Sequence, residues 1–120
     1  MDRDEFKRRT KEFVRRCVKL ALALPKGPLG DHVRGQLIRC STSVESNYRA
    51  ASIEQSRASF VSKLSIVIEE VDESYFWFGF IIDEKLLNAK RVIPLLHEGE
   101  ELRSIFVSAR KTITIINSNS

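Results

Sequence analysis

Four stretches of the chain place apolar or small residues at strictly alternating steps of four and three, and this rhythm constrains the fold more than any other feature. The first stretch reads Phe6, Thr10, Phe13, Cys17, Leu20, Leu24, and the second Val33, Leu37, Cys40, Val44, Asn47, Ala51. The third reads Phe60, Leu64, Val67, Val71, Ser74, Phe78, Ile81, and the fourth Leu95, Gly99, Leu102, Phe106, Ala109, Ile113, Ile116. On an α-helix this spacing gathers the side chains into one stripe, as the a and d positions of a heptad do. Four stripes in 120 residues therefore mean four helices sharing one seam. Short connections favour antiparallel neighbours. The sequence predicts an all-α, antiparallel, up-and-down four-helix bundle in a single domain over residues 1–120, with helices at about 4–24, 31–51, 53–83 and 93–116.

The breaks between stripes carry their own chemistry. Pro25, Gly27, Pro28 and Gly30 end the first helix, since proline cannot continue the ladder and glycine accepts the cap conformation. Asp31 is placed to cap the second helix, and Ser52, with Gln55 as its capping-box partner, the third. Pro94 fits the first turn of the fourth, leaving 84–92 as a short turn. The polar tail 117–120 is expected to fray.

Composition narrows the class. Hydrophobic residues make up 42% and charged ones 30%, which suits a soluble helical protein rather than a disordered chain. The longest apolar run, residues 76–82, is far shorter than the ~20 residues that span a bilayer, and the first ten residues contain no apolar segment of a secretory signal. Cys17 and Cys40 both fall on seam positions, where two buried, reduced thiols are favoured over a disulfide. Together these features read as a cytoplasmic protein.

The net charge of +4 hides a segregation. Residues 1–24 hold eight Lys or Arg against four acids, and residues 25–52 hold four against two. Residues 53–84 reverse the sign with two against seven, and residues 85–120 return to six against three. One acidic helix among three basic ones invites pairing within and between subunits as much as nucleic-acid binding.

Three groups of residues stand out from the seam. On helix 1, Arg8, Lys11, Arg15 and Lys19 form a stripe opposite the core face, flanked by Arg9 and Arg16. Such a stripe either is a solvated face or neutralises phosphates along a nucleic-acid backbone. On helix 3, Phe76, Trp77 and Phe80 lie off the main stripe and off a second apolar column of Val61, Ile68, Tyr75 and Ile82. Either the 84–92 turn folds over these rings or they anchor a subunit contact, and the second reading is preferred because aromatics are favoured interface anchors. On helix 2, Asn47 falls on the seam amid Ser41, Thr42, Ser43 and Ser46. Its nearest charged candidates are Arg49 and the acids of helix 3, so a buried polar network that fixes helix register is expected.

Enzymatic constellations are poor. His32 and His97 have no cysteine or carboxylate at metal-ligand spacing, and there is no Gly-rich phosphate loop, nucleophile elbow or HExxH. The cluster Glu69, Glu70, Asp72 and Glu73 lacks the ExxH partner of carboxylate-bridged metal sites and reads as a solvated or salt-bridged face. The expectation is a protein with no catalytic residues, no metal and no cofactor.

The runs QLIRCSTSVESNYRAAS (36–52), FVSKLSIVIEEVDESYFWF (60–78) and LLHEGEELRSIFVSARKT (95–112) resemble those of small bacterial four-helix-bundle proteins first noticed as products of intervening sequences in large-subunit ribosomal RNA genes. The ordered pair SVxxNYRAA and EExDExxxW carries most of the likeness, while Glu45 stands where some relatives have proline or glycine. The resemblance implies an up-and-down antiparallel bundle that assembles as a homo-oligomer, a pentamer. A more distant branch, the accessory protein of diversity-generating retroelements, implies association with reverse transcriptase and with RNA or DNA. The family resemblance also implies that Asn47, Arg49, Glu70 and Glu73 form the polar network between helices 2 and 3, and it brings no established catalytic activity.

Overall fold

The structure, a computed structural model, describes residues 2–119, with side chains through residue 115. Four helices follow one another: α1 (Arg3–Leu22), α2 (Pro28–Ser52), α3 (Arg57–Asp83) and α4 (Ala89–Asn119). Each packs against the next and α1 closes the set against α4, while the diagonal pairs α1/α3 and α2/α4 are not backbone neighbours. The result is an antiparallel up-and-down bundle measuring 52 × 23 × 22 Å.

The stripes form the core. Every member of the first is buried, from Phe6 to Leu24, and so is most of the third, from Leu64 to Ile81. Val33, Leu37, Cys40 and Val44 of α2 meet Leu95, Leu102 and Phe106 of α4 in the same cluster. Edge-on rings lock helices together across it, Phe6 of α1 against Phe106 of the neighbouring α4 at 5.0 Å and Phe13 of α1 against Phe78 of the diagonal α3 at 6.4 Å. Gly99 sits where a side chain would meet Tyr75 and Phe13, so the smallest residue of the fourth stripe leaves room for those two rings. Ile116, the last member of that stripe, lies outside the described side chains.

The starts of three helices depart from the sequence reading, each for a local reason. α2 begins ahead of Asp31, because Gly27 (φ 128°) supplies the N-cap and Pro28 the first helical position. Gly30 in that first turn lies against the Pro25 carbonyl, where an added Cβ would come within 1.7 Å of the oxygen. Ser52 ends α2 and caps nothing; Ser56 caps α3 instead, its Oγ accepting from the Ser59 N–H at 3.0 Å. α4 starts at Ala89 behind Asn88, whose Oδ1 accepts from the Lys90 N–H at 2.9 Å, so Pro94 lies inside the helix rather than in its first turn. The helix then continues through Asn119, including tail residues expected to fray.

Arginines tie neighbouring helices on the outside. Arg9 of α1 grips Glu98 of α4 through two hydrogen bonds (2.9 and 2.7 Å) and reaches Glu101 at 2.9 Å. Those acids hold its guanidinium pKa above the ordinary value, the Glu98 bond first among them. Arg39 of α2 pairs with Glu70 and Glu73 of α3, and Arg103 of α4 with Asp72 of α3 at 2.6 Å. Charge-assisted, two-pronged contacts of this kind set register as well as adding energy.

Cys17 and Cys40 are free and buried. Burial raises both thiol pKa values, so the sulfurs stay protonated and inert at neutral pH. Cys40 Sγ lies 3.3 Å from Ser74 Oγ, which gives a polar seam residue of α3 a partner in α2.

Candidate nucleic-acid interface

α1 presents its apolar stripe to the bundle, so the opposite face must look outward, and it is there that the basic residues stand. Arg8, Lys11, Arg15 and Lys19 are all exposed. Arg15 lies 4.0 Å from Glu12 one turn earlier, a contact between two well-exposed side chains that screening makes weak. Arg9 does not belong with them: the acids of α4 hold it.

The stripe is bordered by grooves that single-helix periodicity could not reveal. Between α1 and α2 lies a concavity of about 450 Å³. Lys7, Arg8 and Lys11 line one wall, and Glu45, Tyr48 and Arg49 the other. The Tyr48 ring is committed to the core, packed on Phe6 and Phe106 at 5.3 and 5.4 Å, and burial raises the pKa of its hydroxyl. Toward the other end of α1, a second concavity of about 270 Å³ between α1 and α4 gathers Arg16, Lys19 and Arg91. Lys7 could have been added from sequence, being one turn before Lys11; Arg49 and Arg91 come from other helices and leave no mark in the spacing of α1.

The polar network expected between α2 and α3 takes a different form. Asn47 turns back on its own helix, its Nδ2 donating to the Ser43 carbonyl and hydroxyl at 3.0 and 2.9 Å. Arg49 points outward into the α1–α2 groove and meets neither Glu70 nor Glu73. Arg39, nearly three turns earlier, makes those contacts, and on the surface rather than in the core. The reason is register: antiparallel packing that sets Cys40 beside Ser74 brings position 39, not 49, level with positions 70 and 73.

The three off-stripe aromatics form one touching cluster. Phe76 stacks edge-on against Trp77 at 4.8 Å, and Phe80 touches both rings. Trp77 and Phe80 lean on the core and are half-buried, whereas Phe76 remains 59% exposed. His32 of α2 lies edge-on to Trp77 at 5.7 Å, and the buried indole N–H has no acceptor among the described residues. His97 is exposed on α4. Among the described residues no group of three metal-ligating side chains converges, and no helix is long and apolar enough to cross a membrane.

The sequence profile of the 23S rRNA-intervening sequence protein family matches residues 4–108. Among solved structures, the chain is similar to a protein of unknown function from the S23 ribosomal protein family of Bacteroides thetaiotaomicron VPI-5482. The two share 26% identity with a TM-score of 0.79, over 88% of this chain and 98% of the other. No curated protein matches the chain in sequence.

Proposed function

We propose, from the premise that the chain belongs to the 23S rRNA-intervening sequence protein family, that it is a non-enzymatic, self-associating bundle that binds nucleic acid or a ribonucleoprotein through α1. The observation that carries this reading is the disposition of charge. Three cations outside the core that hold helices together, Arg9, Arg39 and Arg103, are matched by carboxylates. Arg8, Lys11 and Lys19 have no such partner among the described residues and share one outward face. Like charges gathered without counterions raise the local potential and favour a polyanion. Binding to RNA or DNA should weaken steeply with salt. Reversing Arg8, Arg15 and Lys19 together to glutamate should abolish it, with helicity unchanged by circular dichroism. Undiminished retention of that variant on a gel shift would refute the reading.

A second reading rests on the aromatic cluster of α3. A phenylalanine more than half exposed beside two further rings is the kind of anchor that subunit and partner interfaces use. On this reading the bundle is a scaffold, pentameric by the resemblance of its motifs, with a protein partner such as a reverse transcriptase. Pull-down of such a partner that survives the α1 triple reversal and fails on loss of Phe76 would favour it.

A further inference from the structure

The two grooves beside α1 lie at opposite ends and on opposite flanks of that helix. The first, toward α2, sets Arg49 across from Lys7, Arg8 and Lys11. The second, toward α4, sets Arg91 beside Arg16 and Lys19. Their centres on α1 are about nine residues apart in sequence, roughly 13 Å along the axis at 1.5 Å per residue. No cation of either cluster has an ion-pair partner among the described residues, in contrast to the arginines that join helices. The positive surface therefore crosses α1 obliquely, from the α2 side near its N-terminus to the α4 side near its C-terminus.

What that surface lacks identifies what it fits. Proteins that hold single strands stack bases on exposed aromatic rings, whereas the ring that lines this path, Tyr48, is half-buried. Tyr48 is packed on Phe6 and Phe106, and Phe76, Trp77 and Phe80 belong to α3, which is diagonal to α1. Cations without stacking platforms contact phosphates alone, and a duplex presents its phosphates outward in register. Resting on the reading of α1 above, we propose that the chain binds the backbone of a nucleic-acid duplex laid obliquely across α1, with Arg49 gripping one end of the footprint and Arg91 the other. Glu45, an acid of the first groove with no ion pair among the described residues, opposes that contact.

Fluorescence anisotropy with 20-base-pair RNA and DNA duplexes and a 20-nucleotide single strand tests this. Arg49→Glu and Arg91→Glu should each weaken duplex binding roughly five- to tenfold and lower the slope of log affinity against log salt by about one. Arg57→Glu on α3 should leave binding unaltered. Glu45→Gln should tighten it, a gain that misfolding cannot mimic. If reversal of the α1 stripe abolishes binding while Arg49→Glu and Arg91→Glu are silent, the oblique path is wrong and the α1 reading stands. Tighter binding of the single strand overturns the duplex assignment. Failure to bind any of the three overturns both readings.

Discussion

Lys85 shows how much a single residue can carry at a helix end. It follows Glu84, the C-cap of α3, and adopts the left-handed conformation at φ 54°. Its N–H donates to the Ile82 carbonyl at 3.1 Å, and that of Leu86 donates to Ile81 at 3.0 Å, the paired bonds of a Schellman motif. A side chain in that conformation costs about 1–2 kcal/mol that glycine avoids. Lys85 is exposed, so replacing it removes no packing. Lys85→Gly should therefore raise stability by about 0.5–1 kcal/mol after the larger backbone entropy of unfolded glycine is subtracted, read as a shift in the urea midpoint. The buried thiols give a prediction of pH dependence. The ordinary thiol pKa is 9.0 and burial raises that of Cys17 in the folded chain. The unfolded chain then releases the proton first, so this contribution to stability is complete below pH 9 and is lost as the pH rises beyond it. Between pH 9 and 10 the loss should approach about 1 kcal/mol for one such group. Cys17→Val should flatten that decline in urea titrations, and equal slopes for both proteins would contradict it.

At the scale of the helix, sequence and structure agree where one element decides and part where two must meet. The seams were legible because burial of Phe13, Leu37, Val71 and Leu102 requires nothing beyond periodicity within each helix. The caps were less so, since Ser52 and Ser56 are equally able hydroxyls and the path of the loop chooses between them. The charged contacts were least legible. Nothing in the spacing of α2 distinguishes Arg39, which bridges to α3, from Arg49, which faces α1; only the register of antiparallel partners does so. The start of α4 offers a test of the same kind. Pro94 is the sixth residue of that helix and exposed, so it lacks an N–H for the Lys90 carbonyl without supplying core packing in return. Pro94→Ala should stabilise the protein by about 1–3 kcal/mol, seen as a higher thermal midpoint. A lower midpoint would mean that the proline ring is bound by contacts that alanine cannot replace.

At the scale of the molecule, the cyclic order of helices separates the two surfaces proposed to act. α1 and α3 occupy diagonal corners of the bundle, so the cations of one and the exposed ring of the other face away from each other. Copies joined through α3 would leave every α1 directed outward, where several weak phosphate contacts act on one polyanion and raise the effective affinity well above that of a single copy. The two surfaces should therefore respond asymmetrically to mutation. Phe76→Ser removes the most exposed ring of the cluster and leaves Trp77 and Phe80 seated on the core, so the monomer should stay folded. It should lower the mass measured by light scattering and, at the same protein concentration, weaken duplex binding through lost avidity. Reversal of Arg8, Arg15 and Lys19 should abolish binding and leave the mass unchanged. A Phe76→Ser protein with wild-type mass would separate the aromatic cluster from assembly. One with reduced mass but wild-type affinity would place the whole nucleic-acid contact within a single bundle.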